Sequence, residues 1–263
     1  MSDRHRPAPA ERRDAIAEAV LARGSGTAAE FAERFGVSLM TIHRDLDELE
    51  RQGVVRKYRG GVTALRSGVF ESGVAYRARS MREEKEAIAA AAVELVEPGM
   101  AVMLDDSTTA LAVGRRLRDL APLTIVTNFL DGLNLLSAAE GIKLIALGGD
   151  HDPLHNSFMG VSCVEMIESL RADLCFVSAS AVSGGDVCHR EQRVVGVKRA
   201  MLRSAVRSVL LVDHTKLGRT ALHRVAPLSA FDRVIVDDGA SPAALGDLAN
   251  RQVEYAVAAR SRR

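Results

Sequence analysis

The sequence predicts two domains of different class: a small helical domain ending in a β-hairpin over residues 1–66, and a mostly parallel α/β domain over 81–263, with 67–80 as a linker. Three observations predict this. The chain has 263 residues, and length alone suggests about two domains. Helical periodicity runs up to Gly53 and then gives way to two short runs around a glycine turn. Beyond Met81, short apolar runs alternate with helical stretches, the pattern of a sheet covered on both faces.

The first domain is read in order. Residues 1–10 are polar, carry two prolines and are expected to form a mobile arm. A helical pattern starts near Arg12, with Ile16, Val20 and Leu21 inward, and stops at Gly24, Ser25 and Gly26. Thr27 and Glu30 then form a T-x-x-E capping box, which opens a second helix carrying Phe31 and Phe35 on one face. Gly36 ends it. Ser38 is a good N-cap for a third helix, and Val37 and Ile42 can close a hydrophobic staple. Ile42, Leu46 and Leu49 make its inward stripe, which leaves Met40, Thr41, His43, Arg44 and Asp47 outside. Taken alone, this is also the pattern of an ordinary amphipathic surface helix. A hydroxyl, an imidazole and a guanidinium near a helix start, however, suit base edges in a major groove.

The neighbours favour nucleic acid. Net charge is only +1 overall, but residues 51–66 hold Arg51, Arg56, Lys57, Arg59 and Arg66 and no acid. A local basic run beside a candidate recognition helix is an electrostatic footprint for phosphates. The stretch 54–65 reads as two short strands around Gly60 and Gly61, so three helices and a basic hairpin make a winged helix-turn-helix. Ser38, Met40, Thr41, His43 and Arg44 are the candidate DNA-reading residues. Arg56, Lys57 and Arg59 are the candidate phosphate contacts.

Here the resemblance is specific. Arg12, Ile16, Val20, Ser38 and the run Thr41, Ile42, His43, Arg44, Asp45, Leu46 resemble, in spacing, the helix-turn-helix signature of the DeoR family of bacterial transcriptional regulators. The Gly60-Gly61 wing is similar too.

In the second half an alanine-rich helix is expected over 83–96. Strands are expected at 101–105, 124–128, 143–148, 174–179, 208–213, 233–237 and 253–258. Ligands in such sheets sit at the carboxyl ends of strands, and the polar residues collect there. Asp105, Asp106, Ser107, Thr108 and Thr109 follow the first strand and open a helix, whose N-terminus presents donors to an anion; an N-cap alone would use the same residues. Thr127 and Asn128 end the second strand, Gly148, Gly149 and Asp150 the third. Asp213, His214, Thr215 and Lys216 end a later one.

This half also resembles the DeoR family's C-terminal sensor domain, which is similar in fold to ribose-5-phosphate isomerase and typically senses a phosphorylated sugar. The similar pieces are Asp105 to Thr109, Thr127-Asn128, Gly148-Gly149, Ser157 to Gly160, Val197 to Met201 and Asp213 to Lys216. The resemblance implies that Ser107, Thr108 and Thr109 hold phosphate. It implies that Asp105, Asn128, Gly149 and Lys216 belong to the effector pocket. Ser107 stands where many members have Gly, and residues 193–196 lack the acids common there.

Other signals are weak. His151 and His155 have a helical metal-ligand spacing, but Pro153 between them argues against the helix. Cys188 and His189 are adjacent and show no third partner for nucleophilic catalysis. No metal, cofactor or catalytic residue is expected. Three cysteines without a C-x-x-C pair fit a reduced compartment, and no signal-type apolar segment or run of ~20 apolar residues appears; the expectation is a cytoplasmic protein without a membrane span. Two functions stay open. One is a repressor of sugar-metabolism genes, binding operator DNA as a homo-oligomer and released by a phosphorylated sugar. The other is a sugar-phosphate isomerase-like enzyme fused to a DNA-binding domain. A shared fold does not transfer chemistry.

Overall fold

The computed structural model describes residues 7–64 and 73–260, in two compact units that divide between Ser80 and Met81. The side chain of Leu21, expected inward, lies outside the described residues, as do Arg66, Ser67, Gly68 and Ser72.

The first unit contains α1 (Pro9–Arg23), β1 (Ser25–Gly26), α2 (Ala28–Phe35), α3 (Leu39–Arg51), β2 (Val55–Tyr58), β3 (Gly61–Ala64) and α4 (Val74–Arg79). Thr27 caps α2 with its capping box closed by Glu30, and the Ser38 hydroxyl accepts from the Thr41 N–H at the start of α3. Ile16, Val20, Phe31, Ile42, Leu46, Leu49, Val55 and Val62 fill one core. Three features differ from the sequence reading. Proline at the first helical position starts α1 inside the stretch read as an arm, because its fixed φ suits a helix start. Ser25 and Gly26, read as a helix stop, also pair with β3, so the wing is a three-stranded sheet. The stretch read as a linker holds α4, whose Tyr76 is buried in the same core and whose Arg79 pairs with Asp14 at 3.0 Å.

The second unit runs α5 (Arg82–Val93), β4 (Ala101–Leu104), α6 (Thr108–Leu117), β5 (Leu123–Thr127), α7 (Leu130–Leu136) and β6 (Ile142–Ala146). A hairpin of β7 (Asp150–Asp152) and β8 (Ser157–Met159) leads to α8 (Val161–Glu168), β9 (Ala172–Ser178), β10 (Ala181–Ser183), β11 (Asp186–His189) and α9 (Gln192–Arg203). The unit ends with β12 (Ala205–Val212), β13 (His223–Pro227), β14 (Arg233–Asp237), α10 (Pro242–Asn250) and β15 (Tyr255–Ala258). Seven strands form one parallel sheet in the order β15-β14-β12-β9-β4-β5-β6. They are the seven apolar runs expected from the sequence. Alternate residues go to opposite faces. Met103, Cys175, Val177, Leu210 and Val212 pack with residues of α8 to α10, whereas Val102, Leu104, Phe176, Val209 and Leu211 pack with residues of α5 to α7. The smaller hairpin and the sheet β10-β11-β13 were not expected; their runs are too short and polar to stand out.

The chain starts this sheet at its centre. It moves from β4 through β5 to β6, then returns to the other side of β4 as β9 and continues outward. The carboxyl ends of β4 and β9 therefore flank the topological switch point, where open α/β sheets leave a crevice for ligands.

Candidate functional site

Two groups of residues stand out, one in each unit. In the first, Ile42, Asp45, Leu46 and Leu49 point α3 inward, and Met40, His43, Arg44 and Asp47 are exposed. Thr41 is half-buried, its hydroxyl 2.9 Å from that of Ser38, so this pair organises the helix start. Orientation of α3 rests on a buried ion pair: Arg12 Nε of α1 donates to Asp45 Oδ2 at 2.6 Å.

On the wing, Arg56 and Arg59 are exposed, with Arg59 beside the Gly60 turn. A side chain at Gly61 would stand 2.7 Å from the Gly26 carbonyl oxygen, so glycine is needed there for the strands to close. Lys57 differs from its neighbours. It is half-buried, its ammonium pairs with Asp47 of α3, and its N–H donates to Glu50 at 2.7 Å. It ties the wing to the helix.

In the second unit the strand-end residues join one buried network. Asp105 closes β4. Its Oδ2 accepts from Lys198 Nζ of α9 at 2.5 Å and from the Ser178 N–H at the end of β9 at 2.7 Å, and its Oδ1 accepts from the Ser107 N–H at 3.0 Å. Asp106 Oδ1 lies 3.3 Å from the same ammonium, and its Oδ2 accepts from the Ser157 hydroxyl at 3.1 Å. Burial by itself pushes the Lys198 ammonium down, but the two carboxylates outweigh it and the net shift is upward. Lys216 continues the chain, donating to the Ser178 hydroxyl at 3.2 Å and standing 3.5 Å from Asp213 Oδ2. Burial pushes Asp213 up; Lys216 and the Thr215 hydroxyl pull harder, and its net shift is downward.

Each expected residue has a distinct place. Ser107 caps α6, its hydroxyl accepting from the Ala110 N–H at 3.0 Å, and Thr108 and Thr109 form the buried first turn. The Thr109 hydroxyl makes no hydrogen bond. Asn128 is buried after β5, with Nδ2 donating to the Phe158 carbonyl at 2.8 Å and Oδ1 left without a partner. Gly149 contributes backbone shape: its φ is +134°, and a Cβ would sit 2.3 Å from the Met159 oxygen. Lys216 keeps an ammonium side chain that is 22% exposed, whereas Asp105 is engaged by three donors. Sequence reading placed Ser157 and Lys198 within pieces similar to the family but gave them no role in the site, and it did not name Ser178. Lys198 left a signal: it stands four residues after Val194 and three before Met201, on the buried stripe of α9.

The weaker signals have ordinary roles. His151 lies in β7 and His155 in the turn after it, so their spacing is not helical; His151 Nε2 is 3.2 Å from Asn156 Oδ1, and the His155 ring packs 6.0 Å from that of His189. Burial pushes the thiols of Cys163 and Cys175 up to about 11 and about 12, and that of Cys188 up as well, away from thiolate chemistry. Among the described residues no helix is long and apolar enough to cross a membrane.

A winged helix-turn-helix followed by an α/β unit with charged strand ends defines a transcriptional regulator with a separate sensor domain. The model of the DeoR-like helix-turn-helix domain matches residues 12–67, and that of the DeoR C terminal sensor domain matches residues 80–238. The chain belongs to the DeoR family of transcriptional regulators. It is 35% identical over 250 residues to the uncharacterized HTH-type transcriptional regulator YgbI of Escherichia coli (strain K12), covering 95% of this chain and 98% of that one. To the glycerol-3-phosphate regulon repressor of the same organism it is 32% identical, covering 86% and 90%. Among solved structures, ribose 5-phosphate isomerase A from Methanocaldococcus jannaschii is a distant neighbour, with TM-score 0.39, 21% identity, and 52% and 55% coverage. The chain is a regulator and not an isomerase-like enzyme: its relatives over most of its length are transcriptional regulators.

Proposed function

We propose that the protein is a cytoplasmic, homo-oligomeric repressor of sugar-related genes. In this reading a phosphorylated sugar binds at the strand ends of the sensor unit and releases the operator. The observation that carries it is the Lys198–Asp105–Ser178–Lys216 network at the switch point, next to the N-terminus of α6. Helix N-terminal N–H groups and hydroxyls favour a phosphate, and Lys216 is the part-exposed cation beside them. Two relatives are named as repressors of a glycerol-3-phosphate regulon and of the aga operon, which supports a sugar-related effector. What supports a homo-oligomer is that the described residues hold one wing-and-helix reader, whereas specific affinity usually needs two half-sites related by symmetry.

The test is a thermal-shift screen over phosphorylated sugars, followed by operator binding with and without each hit. Lys216→Ala should keep operator affinity nearly intact and lose the response to effector. A variant that responds like wild type would move the effector site elsewhere. Operator binding only in the presence of effector would reverse the sign of control.

A further inference from the structure

We infer that Met40, flanked by Leu39, reads thymine methyl groups in the operator, which makes this pair a specificity determinant separate from the hydrogen-bonding residues of α3. The inference rests on α3 being the recognition helix. Met40 is 64% exposed and Leu39 52%. With Tyr58 at the wing tip, they are the exposed large hydrophobic residues among the described residues of the first unit, and all three lie on the recognition helix or the wing. Both Met40 and Leu39 keep more than half of their surface open, which leaves an apolar contact available on the face that a recognition helix presents to DNA.

The surroundings identify the partner of that contact. With about 3.6 residues to a turn, Met40 lies almost opposite the buried stripe of Ile42, Leu46 and Leu49, one turn before Arg44 on the same outer face. Exposed Arg44, Arg56 and Arg59 belong to the same module, which selects a polyanion over an apolar protein surface. Two side chains are also too few for a stable protein interface, which takes roughly 800 Å² from each partner. Within the major groove, the apolar group offered by a base edge is the thymine C5-methyl. Its packing against an unbranched, polarizable Met side chain tolerates small differences in helix position.

The experiment uses the full chain. Duplexes are enriched from a random pool, and each thymine of the preferred sequence is replaced singly by deoxyuridine. That change keeps every hydrogen-bonding group and removes only the methyl. Wild type should lose about threefold to fivefold in affinity at one or two thymines per half-site, the scale of one methyl group buried. Met40→Ala should bind the thymine and uracil duplexes alike at one of those positions, and Met40→Leu should retain the difference. Far-UV circular dichroism would show that the exposed substitutions leave the fold intact. The inference is overturned if wild type is indifferent at every thymine. It is equally overturned if Met40→Ala keeps the full uracil penalty at every thymine. Enrichment of no sequence at all would remove base reading by α3, and the inference with it, without touching the effector site.

Discussion

At the scale of single residues, a buried ion pair and a buried carboxylate do different work. Arg12 and Asp45 are both nearly inaccessible, and their pairing fixes α3 against α1. A buried ion pair is weak as a source of stability, but removing one partner leaves the other uncompensated, at about 3–5 kcal/mol. Arg13 stands 3.7 Å from Asp45 Oδ1 and compensates part of the charge, so Arg12→Met should destabilise the winged unit in urea unfolding by less, about 2–3 kcal/mol. Adding Asp45→Leu should restore most of it; a double variant as unstable as the single would mean that packing, not charge, dominates there. Asp213 makes a pH statement. Its folded pKa lies below the ordinary 3.8, so its contribution is present above 3.8 and lost as pH falls through the lowered value. Asp213→Asn should cost about 1.5–3 kcal/mol, the range for a hydrogen bond to a charged group. The cost should be equal at pH 7 and pH 5. A gap that shrinks between those two values would show that Asp213 titrates higher than its partners imply.

At the scale of elements, the wing separates into parts. Lys57 is already paired with Asp47, whereas Arg56 and Arg59 are exposed. Removing a cation that holds one phosphate should flatten the salt dependence of DNA binding by roughly 1 in slope. Arg59→Ala should do this for all sequences alike. Lys57→Ala should change the slope less and lower stability by up to about 1 kcal/mol, since the pair is partly exposed. Equal slopes for both variants, read from anisotropy across a salt series, would contradict the division. The sequence showed this element because Gly60 and Gly61 punctuate a β-rich run. It did not show β1, since a two-residue strand has no periodicity and pairs only across tertiary space. The helix α4 was hidden for a related reason: six residues are too few for a stripe, and Tyr76 is anchored by packing rather than by local propensity. The seven parallel strands were legible because burial on both faces makes each a continuous apolar run. The β7–β8 hairpin reads as polar loop; its place comes from backbone bonds of Asn128 and Leu130 to residues 158 and 156.

At the scale of the whole molecule, the proposed function requires that the sensor unit bias the DNA-binding state. The strand ends assemble Asp105, Asp106 and Asp213 with Lys198 and Lys216. Sequence order showed the ends but not their wiring, because Lys198 reaches Asp105 across 93 residues. Wiring matters for mechanism. Asp105 and Lys198 satisfy one another in a buried triad, so their exchange with an effector would leave a charge stranded. Lys216 stands 3.5 Å from its own carboxylate and is part-exposed, so an effector phosphate can take over its charge at least cost. A charge-assisted hydrogen bond contributes roughly 1.5–3 kcal/mol, and a tenfold change in DNA affinity needs about 1.4 kcal/mol of difference between the two states. One lysine is therefore sufficient for a tenfold switch. Such a switch is reciprocal: operator DNA must weaken effector binding by the same factor by which effector weakens operator binding. The expected result is two equal ratios, one from operator anisotropy with and without saturating effector, the other from effector titration calorimetry with and without saturating operator. Both ratios should be about tenfold in wild type and fall to one in Lys216→Ala; ratios of one in wild type would mean that the ligand found by thermal shift does not control the operator, and ratios unchanged in Lys216→Ala would place its site away from the strand ends.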